Sequence, residues 1–340
     1  MKKLQKDKIR KILIIKPRGI GDVVLSTIVL DNLKYEFPSA KIDYLTEKPS
    51  NQFLELLPQI DNVIVLKKST FSEKLNTLRK IRKHKYDLIL DFYSNPFTAQ
   101  LTFLSKAKYR AGFPYRGRKY AYNLFGEEER AKYHSAILHL KFIEKLGIKS
   151  DLKNIYFGID NKAREKSDFF FFNNFSKSDK VVAVSPSGGW DSKKAPPEKF
   201  AEFADAIAKS LNAKILIMWG PDDKEDAELI TTKMKTKGII APPTSIIEMA
   251  AFLEKSDAVL ANDSGPMHIS AAIGTPTLGL FGPTAPEFQG PFGEKNDYVI
   301  LDDLECIKCN LLTCPKNKEC FRNINADTVV KKIARMISNG

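Results

Sequence analysis

The chain has 340 residues, 43% hydrophobic and 28% charged, with a formal net charge of +13. That length suits two domains of ordinary size, and no apolar run approaches the ~20 residues of a bilayer-spanning helix. The basic start "MKKLQKDKIRK" lacks the apolar stretch and cleavage site of a secretory signal, so a cytoplasmic, soluble, globular protein is expected.

Short apolar strands alternate with longer helical patterns along the chain. The first set is "KILIIK", "KIDYLT", "NVIVLK", "YDLILDF" and "YRAGF"; the second is "VVAVSP", "KILIMWG", "DAVLAND" and "TPTLGLFG". Strands alternating with helices predict parallel sheets covered on both faces. Two such sets predict an α/β chain of two doubly wound, Rossmann-like domains facing a central cleft. The expected bounds are 1–170, 171–325 and a final helix over 326–340, with the joint near 160–180. The excess of positive charge points to an anionic partner: nucleic acid, a membrane face, or a phosphorylated or carboxylated small molecule. "RKIRKHK" (Arg79 to Lys85) reads as a solvated helix end. "YRAGFPYRGRKYAY" mixes arginine, glycine and aromatics in a loop, which suits binding better. In "DFFFFNNF", Phe169, Phe172 and Phe175 fall on one helical face, and burial against the domain joint is expected.

Ligands in such sheets sit beyond the carboxyl ends of strands, where helix N-termini point N–H groups at anions. Four strand ends carry unusual chemistry. In "KPRGIGDVVLSTIVL", Gly19 and Gly21 permit a tight turn and Asp22 falls at or near a helix N-cap. G-x-G-D lacks the third glycine of a dinucleotide loop, so Asp22 is either a plain cap or a proton acceptor. In "SPSGGWDSKKAPPEKF", Ser185, Ser187, Gly188 and Gly189 offer donors and close backbone approach, and Lys193 or Lys194 can neutralise a phosphate. "MWGPDDKEDAEL" supplies Asp222, Asp223 and Glu225, suited to a ribose diol or to a solvated first helical turn. In "NDSGPMHISAAIGTPTLGLFGPT", Asp263, Ser264 and Gly265 open a helix with His268 in its first turn, and the turn Gly282-Pro283-Thr284 completes an anion cradle. The four cysteines, Cys306, Cys309, Cys314 and Cys320, have C-x2-C-x4-C-x5-C spacing, which fits a structural zinc or packed thiols.

"RGIGDVVLST", "SKKAPPEKF" and "NDSGPMHISAAIGTPTLGLFGPT", supported by "YDLILDF", "YRAGF" and "HSAILHLKFIEKLG", together resemble the ADP-heptose:lipopolysaccharide heptosyltransferases, the family-nine glycosyltransferases. The resemblance runs in order over nearly the whole chain. It implies a GT-B fold, an acceptor on the N-terminal domain and an ADP-sugar on the C-terminal one. It implies inverting, metal-independent transfer without a cofactor, and no nucleic-acid partner. By the same resemblance Asp22 matches the general base, Lys193 the phosphate-holding lysine, Asp263 the aspartate near the donor sugar, and Ser264, Gly265 and His268 the phosphate-side loop. Ser187, Gly188 and either Asp223 or Glu225 complete the expected donor site. "KKAPP" departs from the Lys-x-Trp-Pro pattern frequent in the family and leaves Lys193 and Lys194 both open. Arg18, Arg110, Arg116 and Arg118 are candidates for the carboxylates and phosphates of an anionic, lipid-linked acceptor, whose use implies peripheral contact with the inner membrane. Two alternatives share parts of the pattern: a GT-B-type nucleotide-sugar epimerase, and a non-catalytic sugar-nucleotide-binding protein.

Overall fold

The apolar runs become strands buried on both faces: in "KILII", Ile12 to Ile15 are all fully buried, as parallel strands between helical layers require. A computed structural model of the chain describes residues 3–67 and 70–339. The chain divides into two compact units, Met1–Gly158 and Ile159–Gly340.

The first unit runs β1 (Lys11–Ile15), α1 (Ile20–Ser26), α2 (Leu30–Glu36), β2 (Lys41–Thr46), α3 (Asn51–Leu54), β3 (Asn62–Val65), α4 (Phe71–His84), β4 (Leu88–Asp91), α5 (Pro96–Leu104), β5 (Tyr109–Gly112), β6 (Leu124–Phe125) and α6 (Ser135–Lys145). Its sheet is parallel in the order β3-β2-β1-β4-β5-β6. Local chemistry sets the helix ends. Thr70 and Glu73 form a capping box for α4, and Asn95 and Thr98 form one for α5 with Pro96 just inside.

The second unit runs α7 (Asn161–Asn174), β7 (Lys180–Ser185), α8 (Pro197–Leu211), β8 (Ala213–Ile217), α9 (Lys224–Lys233), β9 (Gly238–Ile240), α10 (Ile246–Glu254), β10 (Ala258–Asn262), α11 (Gly265–Ala272), β11 (Thr277–Leu280), α12 (Pro286–Gln289), β12 (Asp297–Val299), α13 (Glu319–Arg322) and α14 (Ala326–Asn339). Its sheet order, β12-β11-β10-β7-β8-β9, repeats that of the first, again with parallel pairing. The short edge strands β6, β9 and β12 complete the sheets beyond those expected from apolar runs. In both sheets the order reverses beside the first strand, and loops at such a switch point form a ligand crevice.

The division after Gly158 differs from the expected bound at 170 because α7 packs on α10. Ser167 Oγ donates to the Ala251 carbonyl at 3.0 Å, Arg164 pairs with Glu254 at 2.9 Å, and the Phe170 and Phe252 rings lie 5.1 Å apart. This packing corrects the phenylalanine run. Asp160 caps α7, and packing against α10 turns Ala163, Ser167, Phe170 and Phe171 inward. Phe169 and Phe172 are 73% and 81% exposed, not buried, while Phe175 is half-buried against Phe171. The final helix α14 joins the core of the second unit through Val329, Ile333 and Met336. Among the described residues, no helix is long and apolar enough to cross a membrane.

Candidate functional site

In the first unit, Gly19 caps α1 at φ +79°, and Asp22 is the third residue of the helix rather than its cap. Any side chain at residue 19 would meet Asp22 Oδ2, since a Cβ there would lie 2.4 Å from it. The glycine therefore serves both the left-handed turn and the space for this carboxylate. Asp22 is half exposed, and Lys16 Nζ stands 3.2 Å from its Oδ1. Lys16 is itself buried, with its ammonium 5.6 Å from the Tyr93 ring centroid in the loop after β4. The Asp22 charge also reaches Arg130 and His139. Burial, with the Lys16 charge adding to it, pushes His139 down to about 3, so this imidazole is neutral near pH 7.

Arg130 lies over the Phe113 and Tyr115 rings at 4.7 and 5.3 Å, and Arg118 lies 5.5 Å from the Tyr115 ring. Arg116 is exposed. Arg18 Nε contacts both Glu47 oxygens at 2.9 and 3.1 Å, and Arg18 and Glu47 line a pocket of about 150 Å³ with Tyr93, Lys67, Lys74 and Asn95. Arg110 is placed differently: its guanidinium donates to the Ala121 and Ala107 carbonyls at 3.0 and 2.9 Å, toward the amino end of β5. The structure does not bring it to Asp22.

Asp91, at the end of β4, anchors the Tyr93 loop by accepting from the Tyr93 and Ser94 amides and from Tyr122 Oη. Burial pushes its carboxyl up to about 6 despite these bonds. A raised folded value means that the folded chain holds this proton more tightly than the unfolded one. Asp91 therefore adds stability as pH falls from about 7 to 4, by on the order of 2–3 kcal/mol. Carboxylates held low, such as Asp31 and Asp205, oppose this only below the usual carboxylate range. Urea unfolding of the parent and of Asp91→Asn at pH 7 and pH 5 checks the point: the parent should gain on the variant at pH 5, and equal changes would remove Asp91 as the source.

In the second unit, the loops after β7, β10 and β11 meet at the switch point. Asn262, ending β10, donates to the Pro186 carbonyl at 2.7 Å and accepts from the Ala195 amide at 3.1 Å, which pins the whole β7 loop. Buried Asp263 accepts on Oδ2 from Thr284 Oγ1 at 2.6 Å and pairs through the same oxygen with Lys193 Nζ at 2.6 Å. The Lys193 ammonium stands 4.1 Å from the Trp190 ring. Lys194 turns elsewhere, to Asp223 at 2.6 Å and Asp226 at 3.2 Å. Asp223 is buried and also accepts from Ser187 Oγ at 2.6 Å. Glu225 is exposed in the first turn of α9 with no hydrogen-bond or ion-pair partner among the described residues. Gly188 packs against Lys194, a Cβ there meeting Lys194 Cγ at 2.6 Å. Ser264 caps α11, Gly265 begins it, and His268 is buried in its first turn.

Three buried polar atoms here, Ser185 Oγ, Trp190 Nε1 and Ser264 Oγ, have no hydrogen-bond partner among the described residues. Buried donors without partners are costly, and their grouping around Lys193 and the start of α11 marks a surface built for a polar, anionic ligand. Trp190, Lys16 and Arg130 are additions to the expected residues. The tryptophan is signalled only by its place in "SGGW"; no local pattern marks the other two.

The cysteines Cys306, Cys309, Cys314 and Cys320 are free thiols that line one pocket of about 220 Å³ with Ser192, Gly282 and Pro283. Burial, and secondarily the other three thiols, pushes Cys320 up to about 12. Among the described residues, no group of three or more His, Cys, Asp or Glu is arranged to hold a metal ion.

The sequence pattern of glycosyltransferase family 9 (heptosyltransferase) matches residues 75–319. A lipopolysaccharide heptosyltransferase 1 of Campylobacter coli is 24% identical over 352 residues, covering 97% of this chain and 99% of that one. A lipooligosaccharide heptosyltransferase 2 of Campylobacter jejuni is 26% identical over 337 residues, with 97% and 99% covered. Among solved structures, a glycosyl transferase family 9 protein of Veillonella parvula superposes with a TM-score of 0.86 at 23% identity, covering 97% and 98% of the two chains. The Escherichia coli heptosyltransferase WaaC with ADP gives 0.73 at 20% identity, covering 96% and 99%.

Proposed function

Since the chain belongs to glycosyltransferase family 9 and has the GT-B fold of that family's heptosyltransferases, we propose that it moves a heptose or related sugar from an ADP-sugar to a lipopolysaccharide inner-core acceptor. The observation that carries this reading is the cradle of Lys193, Asp263, Thr284 and the unpartnered Ser185, Trp190 and Ser264 atoms. It has the chemistry of a diphosphate and sugar site rather than of a bare nucleobase pocket. The solved structures of Escherichia coli WaaC with ADP and with ADP-2-deoxy-2-fluoro heptose support ADP as the nucleotide.

Asp22 accepts the proton of the acceptor hydroxyl as that oxygen attacks the anomeric carbon from the face opposite the nucleotide, with inversion. The C–O bond to the diphosphate breaks, and the diphosphate leaves with the bonding pair. Lys193 and the N–H groups that open α11 stabilise the charge growing on it, so no divalent cation is required. Asp263, itself held by the Thr284 hydroxyl, takes the lysine on one side, leaving its other N–H donors for phosphate oxygens. Asp223 keeps Ser187 and Lys194 in place, which leaves Glu225, with Asp222 beside it, as exposed carboxylates whose acceptors are open to the ribose diol. On the acceptor side, Arg18, Arg116, Arg118 and the added Arg130 meet carboxylates and phosphates.

A binding series of ADP, UDP, GDP and ADP-sugars tests the donor, and transfer in the presence of a chelator tests the metal-independent step. ADP should bind at least tenfold tighter than UDP or GDP, and the chelated rate should be unchanged; preference for UDP, or turnover of donor without acceptor, would favour the epimerase reading. Contacts between exposed arginines and an anionic acceptor are screened by salt, whereas those of the more buried donor cradle are screened less. Raising ionic strength, or replacing Arg116 and Arg118 together by alanine, should therefore raise the KM for acceptor more than that for donor. Equal effects on both would make the arginine loop a solvated surface.

A further inference from the structure

Lys16 directly follows β1, and its place is fixed by β2. Its amide donates to the Leu45 carbonyl at 3.1 Å, and the Glu47 amide donates to the Pro17 carbonyl at 3.0 Å. The Lys16 side chain is only 7% exposed, whereas that of Asp22 is 46% exposed. Among the described residues, Asp22 Oδ1 is the one hydrogen-bond acceptor at the Lys16 ammonium and Asp22 the one acid within ion-pair distance of it. An ammonium has three N–H donors, so Asp22 takes one and the other two have no such acceptor, with the Tyr93 ring centroid 5.6 Å away.

The other groups that feel the Asp22 charge do not replace it. Arg130 is a second cation, and His139 is neutral because burial pushes it down to about 3. The Asp22 carboxylate is thus the counter-ion of Lys16. When Asp22 takes up the acceptor proton, that negative charge disappears, and the Lys16 ammonium has no lone pair with which to carry the proton further. A buried cation that loses its partner is strongly destabilised. Left to itself, the pair therefore resists the proton transfer that the reaction needs.

We infer that Lys16 is a specificity-determining residue: it makes proton uptake by Asp22 depend on an anionic group of the acceptor, a carboxylate or a phosphate, that arrives at the ammonium and takes over from Asp22 as its counter-ion. The two unspent N–H donors are the contacts for that group, and the exposed side of Asp22 is its way in. An acceptor that presents the hydroxyl without such an anion still binds through other groups but gives up its proton slowly. The effect falls on kcat, unlike that of the exposed arginines, which falls on KM. The inference rests on the proposed role of Asp22 as base, but its first test uses neither donor nor acceptor, so the two can fail separately.

The probe is inorganic phosphate, added to the full chain in thermal unfolding and compared with sodium chloride at equal ionic strength. Asp22→Asn leaves Lys16 without a charged partner, so phosphate should raise its Tm by about 2–4 °C more than that of the double variant Lys16→Met/Asp22→Asn. The donor cradle and the basic loops are common to both variants and cancel in the difference. Equal gains would overturn the anion site at Lys16. A kinetic series needs only Lys16→Met and stands even if Asp22→Asn folds poorly. Acceptor with its carboxylates methylated and acceptor with its phosphates removed distinguish the two anions. One of them should lower kcat of the parent roughly a hundredfold and that of Lys16→Met only a few-fold. If neither slows the parent, the departing diphosphate serves as counter-ion and the inference falls; it falls equally if parent and variant slow alike. No transfer to any acceptor would instead overturn the proposed function, and the phosphate series alone would then decide for Lys16.

Discussion

Asp22→Asn should lower sugar transfer by about 10²–10⁴-fold while leaving the affinity for ADP within a few-fold. The asparagine is isosteric and still offers Lys16 an oxygen at the position now 3.2 Å from its ammonium. What is lost is the capacity to take the acceptor proton. The proposed donor contacts, Lys193, Asp263, Thr284 and Ser264, all belong to the second unit, whereas Asp22 belongs to the first. Single-turnover transfer together with calorimetric ADP binding separates the two effects. A large fall in ADP affinity would make Asp22 a donor-side or structural residue, and near-normal turnover would give the base role to another group.

Replacing Lys193 should act in the opposite sense. Its ammonium is buried with Asp263 and stands over Trp190, so Lys193→Ala removes a charge-assisted phosphate contact worth on the order of 1.5–3 kcal/mol. ADP affinity is expected to fall about ten- to a hundredfold. The same change leaves the Asp263 carboxylate buried with only the Thr284 hydroxyl, and a buried charge that loses its partner is destabilising. A lowered Tm should accompany the loss of affinity. Lys194→Ala should cost ADP less, because its ammonium is engaged by Asp223 and Asp226 on the side of α9. If Lys194→Ala has the larger effect on ADP, the phosphate lysine is Lys194, and Lys193 serves only to neutralise Asp263.

Some of this was legible in the sequence because it depends on neighbours in the chain. The unbroken apolar run "KILII", the glycine before Asp22 and the "NDSGP" start of α11 each fix a strand, a turn or a helix end within a few residues, so the parallel α/β character and the strand-end loops follow from local rules. The residue types of the proposed donor cradle lie in the same strand-end loops. Other features were decided by packing between distant segments. Four consecutive phenylalanines say nothing of helix phase; α10 selects Phe170 and Phe171 and leaves Phe169 and Phe172 in solvent. The same contact moves the division of the chain to Gly158. Two adjacent lysines are equivalent until Asp263 and Asp223, each from a different strand end, take one apiece. Arg110 reads as a binding residue until the fold supplies the Ala107 and Ala121 carbonyls. Lys16 gains its place only when the loops after β1 and β4 converge at the first switch point, and Lys193, standing over Trp190, only when the loops after β7 and β10 converge at the second. Hydrogen bonds and ion pairs act over a few ångströms, so which polar groups meet is fixed by tertiary proximity, while apolar periodicity and turn chemistry are already fixed by the order of residues along the chain.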